Sequence, residues 1–452
     1  MCHGFPLKIL PFEFPQSTPS LVFPLPRPHS LAQRTTMDTA DVEKSRLDDV
    51  PHFSEAPDGG LRAWSVALGA AGTTFACLGL TNSYGVFQEY YATRLLPDYS
   101  PDAIAWFGSL SVFLQFAFGA ISGPLFDRFG AGWLIPPAAI VYIASLMLLS
   151  LCTRYWHFML CQGVLMGLAM SMLQFPAFAA VSQFFDKRRA AALGIVISGS
   201  SIGGVVFPIA LSKMLNDSDL GFAWSVRIMG FVVTPIMLFS SLAIKARLPP
   251  RKTDFFIPDA FKNSTYVLIV LGLALSFLGM MTPLFFLPTY AVSRGIEPAF
   301  ASYLVAILNG ASTFGRVIPG FLADKYGKLN VFAAGSLATG IIVLCMNIAT
   351  STAGLVVYSV AFGFSSGTII SGASAALTIC ADDPRNLGTY LGMGMAIGSV
   401  AALIGPPING VLVERYAGFL QVSIFSGIVC LVGAVVVFVS KAFTAQGLLG
   451  RV

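Results

Sequence analysis

Charged side chains are scarce in this chain, and a few stand in patterns that could do chemistry. Gly123-Pro124-Leu125-Phe126-Asp127-Arg128-Phe129-Gly130 and Gly320-Phe321-Leu322-Ala323-Asp324-Lys325-Tyr326-Gly327 are two copies of one acidic–basic pattern. Gly123 matches Gly320 and Asp127 matches Asp324 at a constant offset. A carboxylate at a helix end can accept hydrogen bonds from the free N–H groups that open a neighbouring helix, where the helix dipole also favours negative charge. Gly123 and Gly320 would let two backbones approach closely, and Arg128 and Lys325 could pair with acidic groups nearby. Such a lock would form when one end of a two-part molecule shuts and break when it opens. The plainer alternative is a tight turn with solvated charges. Arg316 is different: it is a cation inside an apolar stretch, about two helical turns from its end. Charge at such depth costs at least about 2.5–3.5 kcal/mol, and a guanidinium cannot escape by losing its proton. Arg316 therefore needs a partner, either an anionic ligand such as a carboxylate or phenolate held bidentately, or backbone carbonyls in a purely structural role.

The elements that must position these groups are membrane spans. The 452 residues are 55% hydrophobic and 11% charged, against about 25% charge in a soluble domain, and mean hydropathy is +0.75. The apolar residues fall in blocks of about 20, the length that crosses a bilayer. Twelve such blocks are predicted, at 62–87, 103–126, 133–152, 157–182, 190–214, 223–246, 264–290, 300–323, 330–350, 354–380, 387–411 and 419–441. The expected protein is all-α and integral to the membrane, with twelve transmembrane helices in two six-helix halves, 58–246 and 264–441. A charged connector, 247–263, joins the halves. Residues 1–57, broken by seven prolines between Pro6 and Pro28, read as a disordered cytosolic tail, and 442–452 as a short cytosolic one. Met37-Asp38-Thr39-Ala40-Asp41 is an alternative start of translation. Segment by segment, 20 of the 27 Lys and Arg fall on the side of the two termini and 6 on the other, which places both termini in the cytosol. Asn216-Asp217-Ser218 then lies in an outer loop as a candidate glycosylation site.

A repeated, apolar chain of this kind points to a transporter with its site between the halves. Asn82, Gln174 and Asn309 are candidate lining residues because buried amides need partners. Ser198, Ser201 and Ser366 are further candidates, although a lone helical serine usually bonds its own backbone. Phe175, Phe285, Phe286 and Tyr290 are candidate aromatic walls. The seven cysteines contain no CxxC pair and the four histidines are scattered, so neither metal, cofactor nor disulfide is expected. The net charge of +5 sits in loops between spans and does not imply nucleic acid. No HExxH, GxSxG or intramembrane acid–base pair suggests an enzyme. A non-transporting receptor on a transporter fold stays open as a distant alternative.

The twelve spans and paired loops resemble the major facilitator superfamily. Four further segments are similar to the fungal type of its monocarboxylate porter branch. They are Pro57-Asp58-Gly59-Gly60 with Trp64; Phe184-Phe185-Asp186-Lys187-Arg188-Arg189 with Ala192 and Gly194; Gly315-Arg316 leading to Gly320 and Asp324; and Gly405-Pro406-Pro407 with Gly410. The resemblance covers about 57–441. It implies alternating access by rocking of the halves, and an Arg316 that holds a substrate carboxylate. Two departures stand out: Asn82 replaces a lysine and Ser312 an aspartate that proton-linked members carry. With no acid deep in any span, proton coupling lacks a side-chain carrier. Gly199-Ser200-Ser201-Ile202-Gly203-Gly204 resembles an antiporter motif whose proline is replaced by Ser200; close helix packing is the alternative role of its glycines. The implied cargo is a small organic anion or related metabolite larger than lactate, carried by a monomeric unit with protons as a further candidate partner. Import and export both fit, and fungal relatives of this branch include transporters that accompany secondary-metabolite pathways. The plasma membrane is the default location, with vacuole or vesicle as alternatives.

Overall fold

The computed structural model describes residues 56–99, 101–216, 218–249, 256–381, 383–416, 418–448 and 450. Almost all of the expected N-terminal tail, the Met37 start, His3, His29, His52, and parts of the connector and of the outer sequon lie outside the described residues. Among those described, twelve helical spans are long and apolar enough to cross a membrane. Spans 1 to 6 are Gly60–Gln88, Trp106–Phe129, Ala131–Leu149, Tyr155–Phe184, Arg189–Leu215 and Gly221–Ala243. Spans 7 to 12 are Ser264–Ser293, Tyr303–Tyr326, Lys328–Ile348, Thr352–Leu377, Pro384–Tyr416 and Leu420–Phe443. Each expected span has its counterpart. The boundaries move by a few residues, since helices project past the hydrocarbon and hydropathy cannot see those ends.

In lipid a helix must satisfy its own backbone, so local chemistry shows mainly at starts, stops and breaks. Asn263 starts span 7 by accepting from the N–H groups of Thr265 (2.9 Å) and Tyr266 (3.4 Å), and Ser351 starts span 10 by accepting from Gly354. Gly130 (φ 77°) and Gly327 (φ 101°) turn the chain between spans 2 and 3 and between spans 8 and 9. That left-handed conformation favours glycine, so the repeated Gly closing each acidic–basic loop has a backbone reason. Span 1 breaks at Asn82-Ser83, between helices Gly60–Thr81 and Tyr84–Tyr90. The flanking hydroxyls bond back into the helix, Thr81 to the Cys77 carbonyl and Ser83 to that of Gly79, a pattern that bends helices. Span 4 opens with a wide, π-helical stretch at Met159–Met166.

Trp133, Ile140, Leu238, Leu242, Val432 and Val435 are exposed on spans 3, 6 and 12, as hydrocarbon-facing side chains should be. The two halves meet along two seams, span 2 against span 11 and span 5 against span 8. The connector is tied to the first half: the backbone N–H of Arg247 donates to Gln183 Oε1 at 2.9 Å, and its Nε to the Gln183 carbonyl at 2.6 Å.

Candidate functional site

At one end of the bundle each seam is closed by a carboxylate. Asp127, at the end of span 2, is buried. Its Oδ1 accepts from the N–H of Gly388 (3.1 Å), and its Oδ2 from the N–H and hydroxyl of Thr389 (2.7 Å each) at the start of span 11. Asp324, at the end of span 8, accepts from the N–H groups of Ala190 (2.9 Å) and Ala191 (2.8 Å) at the start of span 5. Each acid thus satisfies helix-opening N–H groups of the opposite half, where the macrodipole also favours it. The approach needs glycine. A Cβ at Gly123 would collide with the Gly388 carbonyl, and one at Gly320 would lie 2.7 Å from that of Ala190.

The basic neighbours behave otherwise than expected. Arg128 and Lys325 are exposed and make no ion pair among the described residues; Arg128 lies over the Phe129 ring (5.9 Å) and Lys325 over that of Tyr326 (5.3 Å). Successive helical residues point about a quarter-turn or more apart. The side chain after an inward-facing acid is therefore carried off the seam. Arg189 and Lys328 are the cations whose charge acts on Asp324.

The two signature segments form one structure. Asp58, at φ 49°, donates its N–H to the Phe184 carbonyl at 3.1 Å. Its Oδ1 accepts from the N–H groups of Asp186 (2.7 Å) and Arg188 (3.2 Å). Trp64 meets Phe185 edge to face at 5.0 Å. Arg189 donates to the Phe185 carbonyl (3.1 Å), pairs with Asp186 (2.9 Å) and reaches Thr378 of the other half (3.4 Å). Lys187 and Arg188 point to solvent. Gly60, at φ 85°, lets the chain enter span 1, and Gly59 beside it has no neighbour that a Cβ would meet.

Deeper in the bundle, Arg316 is 5% exposed. Its Nη1 donates to the Ile197 carbonyl at 2.9 Å and to the Ser200 hydroxyl, both on span 5, while its Nε is buried with no partner. Among the described residues no acid pairs with it. A Cβ at Gly194 would strike the Arg316 carbonyl, so this glycine brings span 5 within reach. Two amides converge on the next turn of span 5. Asn82, at the break in span 1, is exposed and donates to the Ser200 carbonyl at 3.4 Å. Asn309 is buried and donates to Val305 in its own helix. A Cβ at Gly204 would sit 2.8 Å from Asn82 Nδ2 and 3.3 Å from Asn309 Cγ. One at Gly85, just beyond Asn82, would meet nothing within 4 Å.

Arg316, Asn82 and Asn309 therefore meet around Ser200–Gly204. Gln174 and Ser366 do not join them. Gln174 accepts from Gln115 Nε2 at 2.7 Å within the first half. Ser366, like Ser198, bonds a carbonyl one turn back in its own helix, which satisfies the hydroxyl locally. Tyr290 is buried, bonded to the Ala349 carbonyl (3.2 Å) and packed on Phe419, and Phe175 is buried beside Gly119. Neither is a wall of this cluster. Gln115 carried no signal in the sequence, while Ser200 and Gly204 stood out only as part of the glycine-rich segment 199–204. Within it, the departure from proline at position 200 drew attention to Ser200. Two cavities, of about 460 Å³ at Arg294 and Glu414 and about 330 Å³ at Cys152 and Trp156, lie elsewhere and contain no residue of the Arg316 cluster.

Comparison with known proteins adds to this geometry. A family model described as Major Facilitator Superfamily matches residues 64–328 and 269–448. The aspyridones efflux protein apdF of Emericella nidulans is 48% identical over 411 residues, covering 90% of this chain and 84% of that protein. The agnestins efflux protein AgnL12 of Paecilomyces divaricatus is 39% identical over 395 residues, covering 86% of this chain and 89% of that one. The crystal structure of the human organic anion transporter MFSD10 (TETRAN) superposes with a TM-score of 0.67 at 14% identity, over 84% of this chain and 100% of its own. At that identity the likeness concerns the fold.

Proposed function

Because this chain belongs to the major facilitator superfamily and is a membrane transporter, we propose that it exports an acidic secondary metabolite of a fungus by alternating access. Export is favoured over import of a small monocarboxylate by its relatives, of which two similar along most of their length are named for efflux. Acidity is favoured by one observation: Arg316 is buried, faces no acid among the described residues, and keeps an unpartnered Nε. A cargo carboxylate or acidic enol would replace the Ile197 and Ser200 contacts and supply the missing charge. Asn82 and Asn309 would read polar groups beside it.

The Asp127 and Asp324 contacts act as the lock of one gate, shut in this conformation. With both termini in the cytosol, as the distribution of basic residues favours, the shut gate is the cytosolic one. Release outward would precede its opening. No Asp, Glu or His lies deep in a described span, so a proton gradient would act on the ionisation of the cargo itself. One chain, residing in the plasma membrane, is the working unit.

The test is transport in inside-out vesicles of labelled acid and of its methyl ester. Wild-type vesicles should accumulate the acid, and Arg316→Gln should lose that uptake. Full uptake of the acid by a correctly folded Arg316→Gln protein would refute the anchor. Retention of metabolites unchanged in a deletion strain would refute export.

A further inference from the structure

Away from the central cluster, two cysteines meet at the end of the bundle opposite the acidic loops. Cys161 lies in the π-helical opening of span 4, and its Sγ donates to the Ser145 carbonyl of span 3 at 3.0 Å. Cys152 lies in the short loop after span 3, and its Sγ donates to the Leu148 carbonyl at 3.4 Å. Those carbonyls are about one turn, roughly 5 Å, apart on span 3. Both thiols line the 330 Å³ cavity with Leu148, Leu151 and Trp156. Both are free in this structure. The wide π turn aims Cys161 at span 3, and the loop carrying Cys152 can absorb the small approach that a disulfide's narrow geometry requires.

We propose that Cys152 and Cys161 are a disulfide site that staples the outer ends of spans 3 and 4. It rests on the orientation proposed above, which puts this end in an oxidising compartment. Each thiol loses its proton and the Sγ–Sγ bond forms. The two electrons and two protons pass to a disulfide-bearing oxidoreductase, which leaves as the dithiol. The staple also steadies the stretch that follows span 1: Gln162, next to Cys161, accepts from the Tyr91 hydroxyl at 2.9 Å.

The experiment is peptide mapping of the full chain from membranes quenched with an alkylating reagent, digested with and without reduction. The expected result is a linked Cys152–Cys161 peptide pair, with two more alkylated cysteines after reduction than before. Recovery of both residues fully alkylated before reduction would overturn the proposal. Orientation is tested separately. In Cys161→Ser, a membrane-impermeant maleimide on intact cells should label the freed Cys152. Labelling only after permeabilisation would refute the orientation, and the disulfide proposal with it.

Discussion

Asp127→Asn is the sharpest perturbation of the proposed lock, because it preserves shape while changing charge. The Asp127 carboxylate accepts three hydrogen bonds, two on Oδ2 and one on Oδ1, from Gly388 and Thr389. The asparagine amide has one acceptor oxygen and would aim an NH₂ group at another donor. One buried N–H is then left unsatisfied, at about 1–3 kcal/mol. Loss of the charge beside the start of span 11 adds about 0.3–1 kcal/mol. The closed state should therefore be weakened by about 1.3–4 kcal/mol, or about 10- to 700-fold in the closed-to-open ratio. Spin labels at Lys187 and Lys325, both exposed and on opposite halves, would report it in a background without other reactive cysteines. The pulsed electron resonance distance distribution of Asp127→Asn should gain a longer component that the parent lacks. Distributions that coincide in parent and variant would refute the reasoning, since the acid would then hold nothing shut.

The remaining predictions concern the same seams. Gly388→Ala, whose Cβ would lie 2.7 Å from Asp127 Oδ1 and 2.8 Å from the Gly123 carbonyl, should open the same gate without removing any charge, and the same labels should show the shift. Arg316→Gln should lower uptake of an acidic cargo about 10- to 150-fold, the equivalent of a charged hydrogen bond of 1.5–3 kcal/mol; equal uptake of acid and ester by both proteins would contradict the role. Gly204→Ala should press on Asn82 and Asn309 and raise the half-saturating cargo concentration; an unchanged concentration dependence would remove the amides from the site. Asp58→Ala leaves the N–H groups of Asp186 and Arg188 without their acceptor and should destabilise the protein by about 0.5–1.5 kcal/mol, read as a lower thermal midpoint in detergent; an unchanged midpoint would mean that water replaces the acid.

Much of this protein was legible in its sequence for one physical reason: a bilayer leaves helices few alternatives. Twelve apolar blocks became twelve spans, and the repeated Asp127 and Asp324 announced two equivalent ends. Asp127 could be placed at a helix opening because free N–H groups there are a general property of helices. Arg316 stood out because charge at depth always needs a partner. What the sequence could not decide was who meets whom. Lys325 and Lys328 differ by less than one turn, yet only the packed bundle determined that Lys328 acts on Asp324 while Lys325 turns to solvent. Gln174 and Asn309 are both amides in apolar helices; helix rotation sent one to Gln115 within its half and the other to the seam beside Asn82. Asp58 and Asp186 read as two separate signatures until the chain brought them together. Spacing along a helix fixes which residues share a face. Which face meets the partner depends on close contacts summed over whole helices, and these exist only once the bundle has formed.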